Sequence, residues 1–187
     1  MKNNAEKYLS HLDSIFEVQP VFTKISEKDD YPPLHCLTYK NIPEKGCITG
    51  ITLGLSFIDY PNWKIARPEL IISVESEDPS WAYASAYMAY QARGKFDFCI
   101  GSTINFREKI SDESEMTAFF IFFQSLLDKS FEKIKLPEWD IHFIQLYPIY
   151  DDERILINEY GFEWFLKTNH DSWNVKRKNE ALSFKKP

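Results

Sequence analysis

The sequence predicts a single domain of the α+β class, and two observations carry this prediction. Hydrophobic residues make up 44% and aromatic residues 16% of the 187-residue chain, which favours a packed core over disorder. Apolar, strand-like runs are interspersed with helix signals, and no linker or internal repeat divides them. A chain of this length can bury a sizeable core without disulfide or metal staples, so we expect one domain over residues 1–187.

Helix patterns occur near both ends and once in the middle of the chain. In the clearest, Asp78 is a good N-cap residue, Pro79 suits the first helical position and Gly94 suits the position after the helix. Because Arg93 is its one charged residue, this helix is expected to be buried on most sides. The predicted helices are Glu6–Phe16, Pro79–Arg93, Asp151–Gly161 and Phe162–Thr168.

Apolar runs predict the strands of the sheet. Residues 51–57 alternate between apolar and small or polar side chains, which indicates a strand with one buried face. Residues 118–123 are apolar without a period, and the shortness of the run favours a strand over a buried helix. The predicted strands are Leu34–Tyr39, Ile51–Phe57, Leu70–Val74, Phe98–Phe106, Ala118–Phe123 and Ile141–Tyr147. The predicted core residues include Phe57, Leu70, Trp81, Phe143 and Phe165.

Charge and cysteine usage exclude several classes of function. The formal net charge of −6 argues against non-specific nucleic-acid binding, which needs lysine and arginine. Cys36, Cys47 and Cys99 lie in apolar, strand-like stretches without metal-ligand spacing, so we expect buried structural thiols. The basic tail, residues 174–187, is expected to be loosely held. With no apolar leader and no run of membrane-spanning length, we expect a cytoplasmic protein that contacts no membrane.

The sequence contains no recognisable catalytic or cofactor motif. The stretch around Ser56 lacks the second glycine of a nucleophile elbow, and neither a P-loop nor a dinucleotide-binding glycine pattern occurs. The histidines do not pair with carboxylates or with one another at ligand spacing; they are His11, His35, His142 and His170. We therefore expect no cofactor and no enzymatic activity, and the alternative left open is an enzyme whose carboxylates or histidines converge only in the fold.

Two features carry some signal for binding. Tyr83, Tyr87 and Tyr90 lie at i, i+4 and i+7 of the central helix, either as a core-facing stripe or as an exposed interface surface. Acidic residues also cluster, either in ordinary solvated loops or on an acidic binding face, for which the last two clusters are the candidates. The clusters are Glu27, Asp29 and Asp30; Glu75, Glu77 and Asp78; Asp112, Glu113 and Glu115; and Asp151, Asp152 and Glu153.

Four short motifs together resemble the suppressor-of-fused-like domain family over about residues 34–166. They are GLSF at 54–57, RPEL at 67–70, CIGSTINF at 99–106 and LYPIYDDE at 146–153, followed by Gly161. Their order and spacing carry the resemblance, since each is weak alone. Tyr150 and the three acidic residues after it stand where the family often has a threonine-led turn, and both versions offer a helix cap. The resemblance implies a mixed, mostly antiparallel sheet with helices packed against it.

The resemblance also implies protein binding in place of catalysis. In animals the family looks like a module that sequesters a transcription factor, whereas short bacterial members resemble immunity proteins that neutralise a toxin encoded beside them. This chain lacks the additional C-terminal region of the animal proteins and so resembles the bacterial kind. The implied partner is a cognate toxin domain, for instance a nuclease whose basic active site suits an acidic inhibitor. The alternative is a general protein-binding or chaperone-like module for another regulatory or secreted protein, and the oligomeric state is left open.

Overall fold

A computed structural model of the chain describes residues 4–26, 31–124, 133–168 and 170–185. These residues form an eight-stranded sheet and four α-helices, which confirms the predicted mixed, mostly antiparallel α+β architecture. The strands are β1 (Val21–Ser26), β2 (Leu34–Lys40), β3 (Cys47–Leu53), β4 (Ala66–Glu75), β5 (Thr103–Asn105), β6 (Ala118–Phe123), β7 (Lys133–Lys135) and β8 (Asp140–Ile149). The helices are α1 (Asn4–Asp13), α2 (Ser80–Ala92), α3 (Asp151–Tyr160) and α4 (Glu163–Lys167).

The order of the strands places β4 and β8 at the centre of the sheet. It runs β1-β2-β3-β4-β8-β6-β5, and β7 pairs with the first residues of β8. Of the described strand pairs, β4 and β8 form the one parallel pair, with Ala66 opposite Asp140 and Ile71 opposite Gln145. Parallel strands need a crossover connection, and the chain makes it through α2 and β5–β7 before it returns as β8.

Helices cover both faces of the sheet. Helix α2 lies on one face, so close to β3 that a Cβ atom at Gly50 would stand 2.5 Å from the Cα atom of Ala82. Helix α1 covers one end of the opposite face through Tyr8, which is fully buried. Helices α3 and α4 cover the other end of that face through Ile157 and Phe165. Because both faces are covered, the central strands are buried on both sides.

The strand predicted over residues 51–57 differs from the observed one in position and burial. Strand β3 ends at Leu53, and Gly54, with φ +120°, turns the chain into a short 3-10 turn over Leu55–Phe57. The strand is buried on both faces, so the prediction of a half-exposed strand is wrong. Phe57 is only partly buried, whereas the other predicted core residues are buried; these are Leu70, Trp81, Phe143 and Phe165.

Two further predictions are corrected between residues 98 and 106. The predicted strand shrinks to the three residues of β5, because Phe98 and Gly101 both take positive φ angles and form turns. Cys99 is exposed on these turns, so the prediction of a buried thiol is wrong at this position. Cys36 and Cys47 are buried, as predicted.

The basic tail is held firmly over its first residues, contrary to prediction. Val175 is 2% exposed and belongs to the core under α2, and Arg177 is 8% exposed. The backbone N–H of Glu75 donates to the carbonyl of Trp173 at 2.9 Å, which ties the tail to the end of β4. The tail therefore forms part of the folded domain up to these contacts.

A buried carboxylate, that of Glu69 on β4, joins the GLSF and RPEL motifs. Its oxygens accept hydrogen bonds from the backbone N–H groups of Gly54 at 3.0 Å and Ser56 at 2.9 Å. The hydroxyls of Ser56 at 2.6 Å and Thr52 at 2.5 Å complete the set. Burial raises the pKa of Glu69 to about 7, although these four hydrogen bonds act to lower it. The turn after β3 thus receives its shape from a side chain of the neighbouring strand.

Arg67 holds the other end of the same turn. Its guanidinium donates to the carbonyls of Ile58 at 3.0 Å and Ser56 at 3.4 Å. The same group lies 4.1 Å from the ring centroid of Trp139, just before β8, and pairs with exposed Asp59 at 3.1 Å. Arg67 and Glu69 lie two positions apart on β4 and therefore on the same face. One strand thus satisfies both the donors and the acceptors of the turn.

Replacement of Glu69 by glutamine is expected to remove a pH dependence of stability. The unfolded chain loses this proton near the ordinary pKa of 4.5, but the folded protein keeps it until about pH 7. The contribution of Glu69 is therefore complete below pH 4.5 and is lost as the pH rises towards 7, by about 3 kcal/mol. Urea unfolding from pH 4.5 to 8 should show the wild type losing stability relative to Glu69→Gln. Parallel profiles for the two proteins would contradict this.

Truncation of Phe143 on β8 is expected to destabilise the fold strongly. The side chain is 5% exposed and packs on the ring of Tyr8 with centroids 5.9 Å apart, so it joins α1 to the sheet. Phe143→Ala should lower the free energy of unfolding by about 3–5 kcal/mol in a urea titration. The control is Phe123→Ala, because Phe123 is 63% exposed and should cost less than about 1 kcal/mol. Equal losses for the two variants would refute this assignment of the core.

Candidate partner-binding face

The loop over residues 106–117, between β5 and β6, runs along the exposed side of α2. Near the start of the helix, the Ser111 hydroxyl donates to the carboxylate of Asp78. One turn on, the indole N–H of Trp81 donates to Glu113 at 3.4 Å. Near its end, the ring of Tyr87 meets the ring of Phe106 edge to face, with centroids 5.8 Å apart. The loop and the exposed side of α2 therefore form one continuous surface.

The tyrosine stripe lies mainly on this surface. Tyr83 and Tyr87 are 37% and 42% exposed, which favours the interface interpretation over the core-facing one for these two. Tyr90 is partly buried against the core, and the guanidinium of Arg93 lies 4.7 Å from its ring centroid. The stripe therefore offers two exposed rings, and the third ring belongs to the packing of the helix end.

The acidic loop cluster contains two carboxylates that face solvent and one that is partly engaged. Asp112 and Glu115 are exposed, and Glu115 pairs with exposed Lys109. Glu113 accepts from the Ser76 hydroxyl at 2.5 Å and lies 3.8 Å from the ammonium of Lys176. Glu113 thus fastens the loop to the end of β4 as well as carrying charge at the surface.

The start of α3 lies beside this loop. Asn105 donates from its side-chain amide to Asp151 at 2.9 Å, and the N–H of Thr117 donates to the carbonyl of Ile149 at 3.3 Å. Asp152 is exposed and accepts from the amide of Asn179 at 3.3 Å. The structure thus brings the two candidate clusters together, and we call this surface the acidic face. Its members are Asp112, Glu113, Glu115, Asp151 and Asp152.

Glu153 is excluded from the acidic face because its carboxylate is fully buried. Both oxygens pair with the guanidinium of Arg177, at 2.6 and 2.7 Å, and they also accept from the backbone N–H groups of Tyr150 at 3.0 Å and Glu180 at 2.7 Å. The prediction that this residue faces solvent is wrong, since its arginine partner lies 24 positions later in the chain. Glu153 instead fastens the tail to the start of α3.

Other acidic residues extend the negative charge towards the end of β4. An open cleft beside Glu113 is lined by further carboxylates and two lysines; these residues are Glu44, Glu75, Glu77, Lys45 and Lys176. Glu27, Asp29 and Asp30 of the first predicted cluster lie outside the described residues.

The histidines do not belong to a metal-binding cluster in the described parts of the chain. There, no three histidine, cysteine or acidic side chains come close enough together to hold a metal ion. His170 packs on the ring of Phe165, with centroids 4.4 Å apart, and burial lowers its pKa. Burial likewise lowers the pKa of His35. Of the helices described, none has the length and apolarity needed to cross a membrane.

The chain belongs to the suppressor of fused protein (SUFU) family, whose model matches residues 30–179. Proteins of this family are protein-binding regulators. No curated protein sequence matches this chain.

Solved structures share the fold at low sequence identity. A Neisseria gonorrhoeae FA 1090 protein described as a SUFU homologue has a TM-score of 0.68 at 16% identity, over 94% of this chain and 95% of its own. A chain of the Sufu–Fu complex has a TM-score of 0.65 at 15% identity, over 94% and 91%. Drosophila Suppressor of Fused has a TM-score of 0.66 at 15% identity, and this chain spans 50% of it.

Removal of the arginine that pairs with Glu153 tests its structural role. Arg177→Leu should lower the free energy of unfolding by about 3–5 kcal/mol at neutral pH, because it leaves a carboxylate buried without its partner. The neighbouring variant Lys176→Leu is the control, since Lys176 is 66% exposed and its surface pair should contribute less than about 1 kcal/mol. If urea unfolding shows that Arg177→Leu lowers the free energy of unfolding no more than Lys176→Leu does, the contact between Arg177 and Glu153 does not stabilise the fold.

Proposed function

We propose that this chain is an immunity protein that binds a cognate toxin domain and neutralises it without catalysis. One observation carries the proposal: exposed carboxylates of the acidic face adjoin the exposed rings of Tyr83 and Tyr87 on one continuous surface. Exposed tyrosine rings beside a cluster of negative charges are well suited to bind a basic protein partner. Membership of a family of protein-binding regulators supports binding as the mode of action.

On this proposal the partner is a toxin with a basic substrate site, such as a nuclease. Carboxylates on the acidic face would occupy the positions that phosphate groups take in the substrate, and opposite charges would speed the encounter. Asp112 and Glu115 are the members best placed for this role, because both are exposed and the one ion-pair partner of Glu115, Lys109, is itself exposed. Glu113 is fastened to Ser76, and Asp151 is paired with partly buried Arg154 at 2.6 Å. The protein would act in the cytoplasm, where the toxin threatens its own producer.

The second candidate is a binding module for another regulatory or secreted protein. The Sufu–Fu complex favours this possibility, since one of its chains has the same fold as the present chain. The product of the neighbouring gene separates the two functions. Binding to a toxin encoded there, and survival of cells that express both, are expected for an immunity protein, whereas failure to bind it would overturn the toxin assignment.

Reversal of two charges on the acidic face is expected to slow association with that toxin. The double variant Asp112→Lys, Glu115→Lys should lower the association rate on the order of tenfold at low salt, and the difference should shrink as salt screens the charges. The matched control reverses Asp13 and Glu17, exposed residues at and after the end of α1, which covers the opposite face of the sheet. Stopped-flow or surface-plasmon kinetics give both rates.

Two outcomes of that experiment are informative. If both double variants associate at the wild-type rate at low salt, the acidic face does not steer the encounter, and Tyr83 and Tyr87 become the next surface to test. If the control slows association as much as the test variant does, the association rate depends on the net charge of the protein and not on the position of the acidic face.

A further inference from the structure

An open groove of about 330 Å³ lies between the C-terminal half of α2 and the residues around β5. Its floor includes Met88, which is buried, and Ile104, which is partly buried. Its aromatic wall is the edge-to-face pair of Tyr87 and Phe106. The ring of Phe106 is itself fixed, because it packs edge to face on fully buried Phe119 with centroids 5.9 Å apart. The groove is thus a firm aromatic cleft with one adaptable thioether in its floor.

Arg107 stands at the rim of this groove in an unusual backbone conformation. Its φ angle is +74°, in the left-handed region that arginine rarely adopts and that costs free energy. The side chain of Asn105 accepts from the Arg107 N–H at 2.6 Å and donates to Asp151 at 2.9 Å. Neighbouring side chains therefore hold the backbone that presents the Arg107 guanidinium at the rim.

The positive charge of Arg107 is available to a ligand. Asp151, which shares the side chain of Asn105 with Arg107, is already paired with Arg154 at 2.6 Å. Glu108, the next residue in the chain, is exposed and forms no ion pair with Arg107. Within the described part of the chain, the exposed guanidinium of Arg107 forms no ion pair. A groove with aromatic walls and an unpaired arginine at its rim is complementary to an apolar group that carries a negative charge.

We propose that this groove is a subsite for one anchor of the partner protein: an aromatic side chain beside a carboxylate. The aromatic ring would enter between α2 and Phe106, and the Arg107 guanidinium would bind the carboxylate through two parallel hydrogen bonds. The proposal rests on the protein-binding function above. It adds a positively charged contact, that of Arg107, next to the negatively charged acidic face. Such a contact fixes the orientation of a partner, since a reversed partner would place its carboxylate against Asp112 or Glu115.

Small probes test the subsite without the toxin. The full chain, labelled with 15N, is titrated with 3-phenylpropionate and separately with its neutral amide, 3-phenylpropionamide. Amide shifts should be confined to residues 87–92 and 104–107, with a dissociation constant for the acid on the order of millimolar, as expected for a ligand of this size. The acid should bind roughly tenfold more tightly than the amide, because the charged hydrogen bonds to Arg107 are specific to it.

Substitution of Arg107 by glycine tests the role of the guanidinium in ligand binding without disturbing the backbone. Arg107→Gly suits the positive φ angle, so the fold should be kept while the preference for the acid over the amide falls from about tenfold to none. The control Lys40→Gln removes one positive charge at the exposed end of β2 and should leave the preference unchanged. Wild-type protein that binds acid and amide equally, shifts that map outside the groove, or an Arg107→Gly variant that keeps the preference would each overturn the subsite. None of these results depends on the toxin, whose binding is measured by the charge-reversal experiment.

Discussion

The buried carboxylate of Glu69 imposes the constraint on which the arrangement of the sheet depends. A carboxylate removed from water needs hydrogen-bond donors, and the structure supplies four of them from three residues at the end of β3 and in the turn beyond it. That turn in turn requires glycine at position 54, where a Cβ atom would stand 2.3 Å from the carbonyl oxygen of Pro33. Helix α1 docks at the same place, since the Tyr8 hydroxyl donates to the carbonyl of Thr52 at 2.7 Å. The Glu69 side chain therefore ties together two strands and a turn, and helix α1 docks on the strand end that it holds.

A second buried carboxylate lies beyond the far end of the parallel β4–β8 pair. Strand β8 begins just after Trp139, whose ring lies under Arg67, and leads to the start of α3, where Glu153 pairs with the guanidinium of Arg177. The central strands therefore carry an anchored carboxylate near the start of β4 and another just after the end of β8. The second anchor also sets the position of Asp151 and Asp152, because it fixes the first turn of α3 through the backbone N–H of Tyr150. The position of the acidic face is in this sense a consequence of the core.

Features that depend on neighbouring residues in the chain could be predicted from the sequence, whereas the burial of side chains that contact distant residues could not. Helix α2 runs from Ser80 to Ala92 with Pro79 in the cap position, so it lies one residue inside the predicted range at each end. Its approximate limits and the strand character of β6 follow from cap residues and run length, both of which are local. The burial of Thr52 and Ser56 does not, because it depends on Glu69 in the next strand. Likewise, Glu153 has the appearance of a solvated residue at a helix start, and its partner Arg177 lies in a segment whose composition suggested a loose tail. The exposure of the tyrosine stripe depends on which side of α2 meets β3, and a helix with one charged flanking residue gives little indication of that side.

The buried and the exposed charges of this chain differ in how freely they can be substituted. Truncation of Glu69 or Glu153 would leave buried donors or a buried arginine without a partner. Asp112 and Glu115 lie in the loop along α2 and contribute little to the core, so their charges can change at small cost to stability. The positions that these side chains occupy are set by the loop contacts of Glu113 and Ser111 with the sheet and α2. The core therefore fixes where the exposed carboxylates lie, and their identity can change without rearrangement of the sheet.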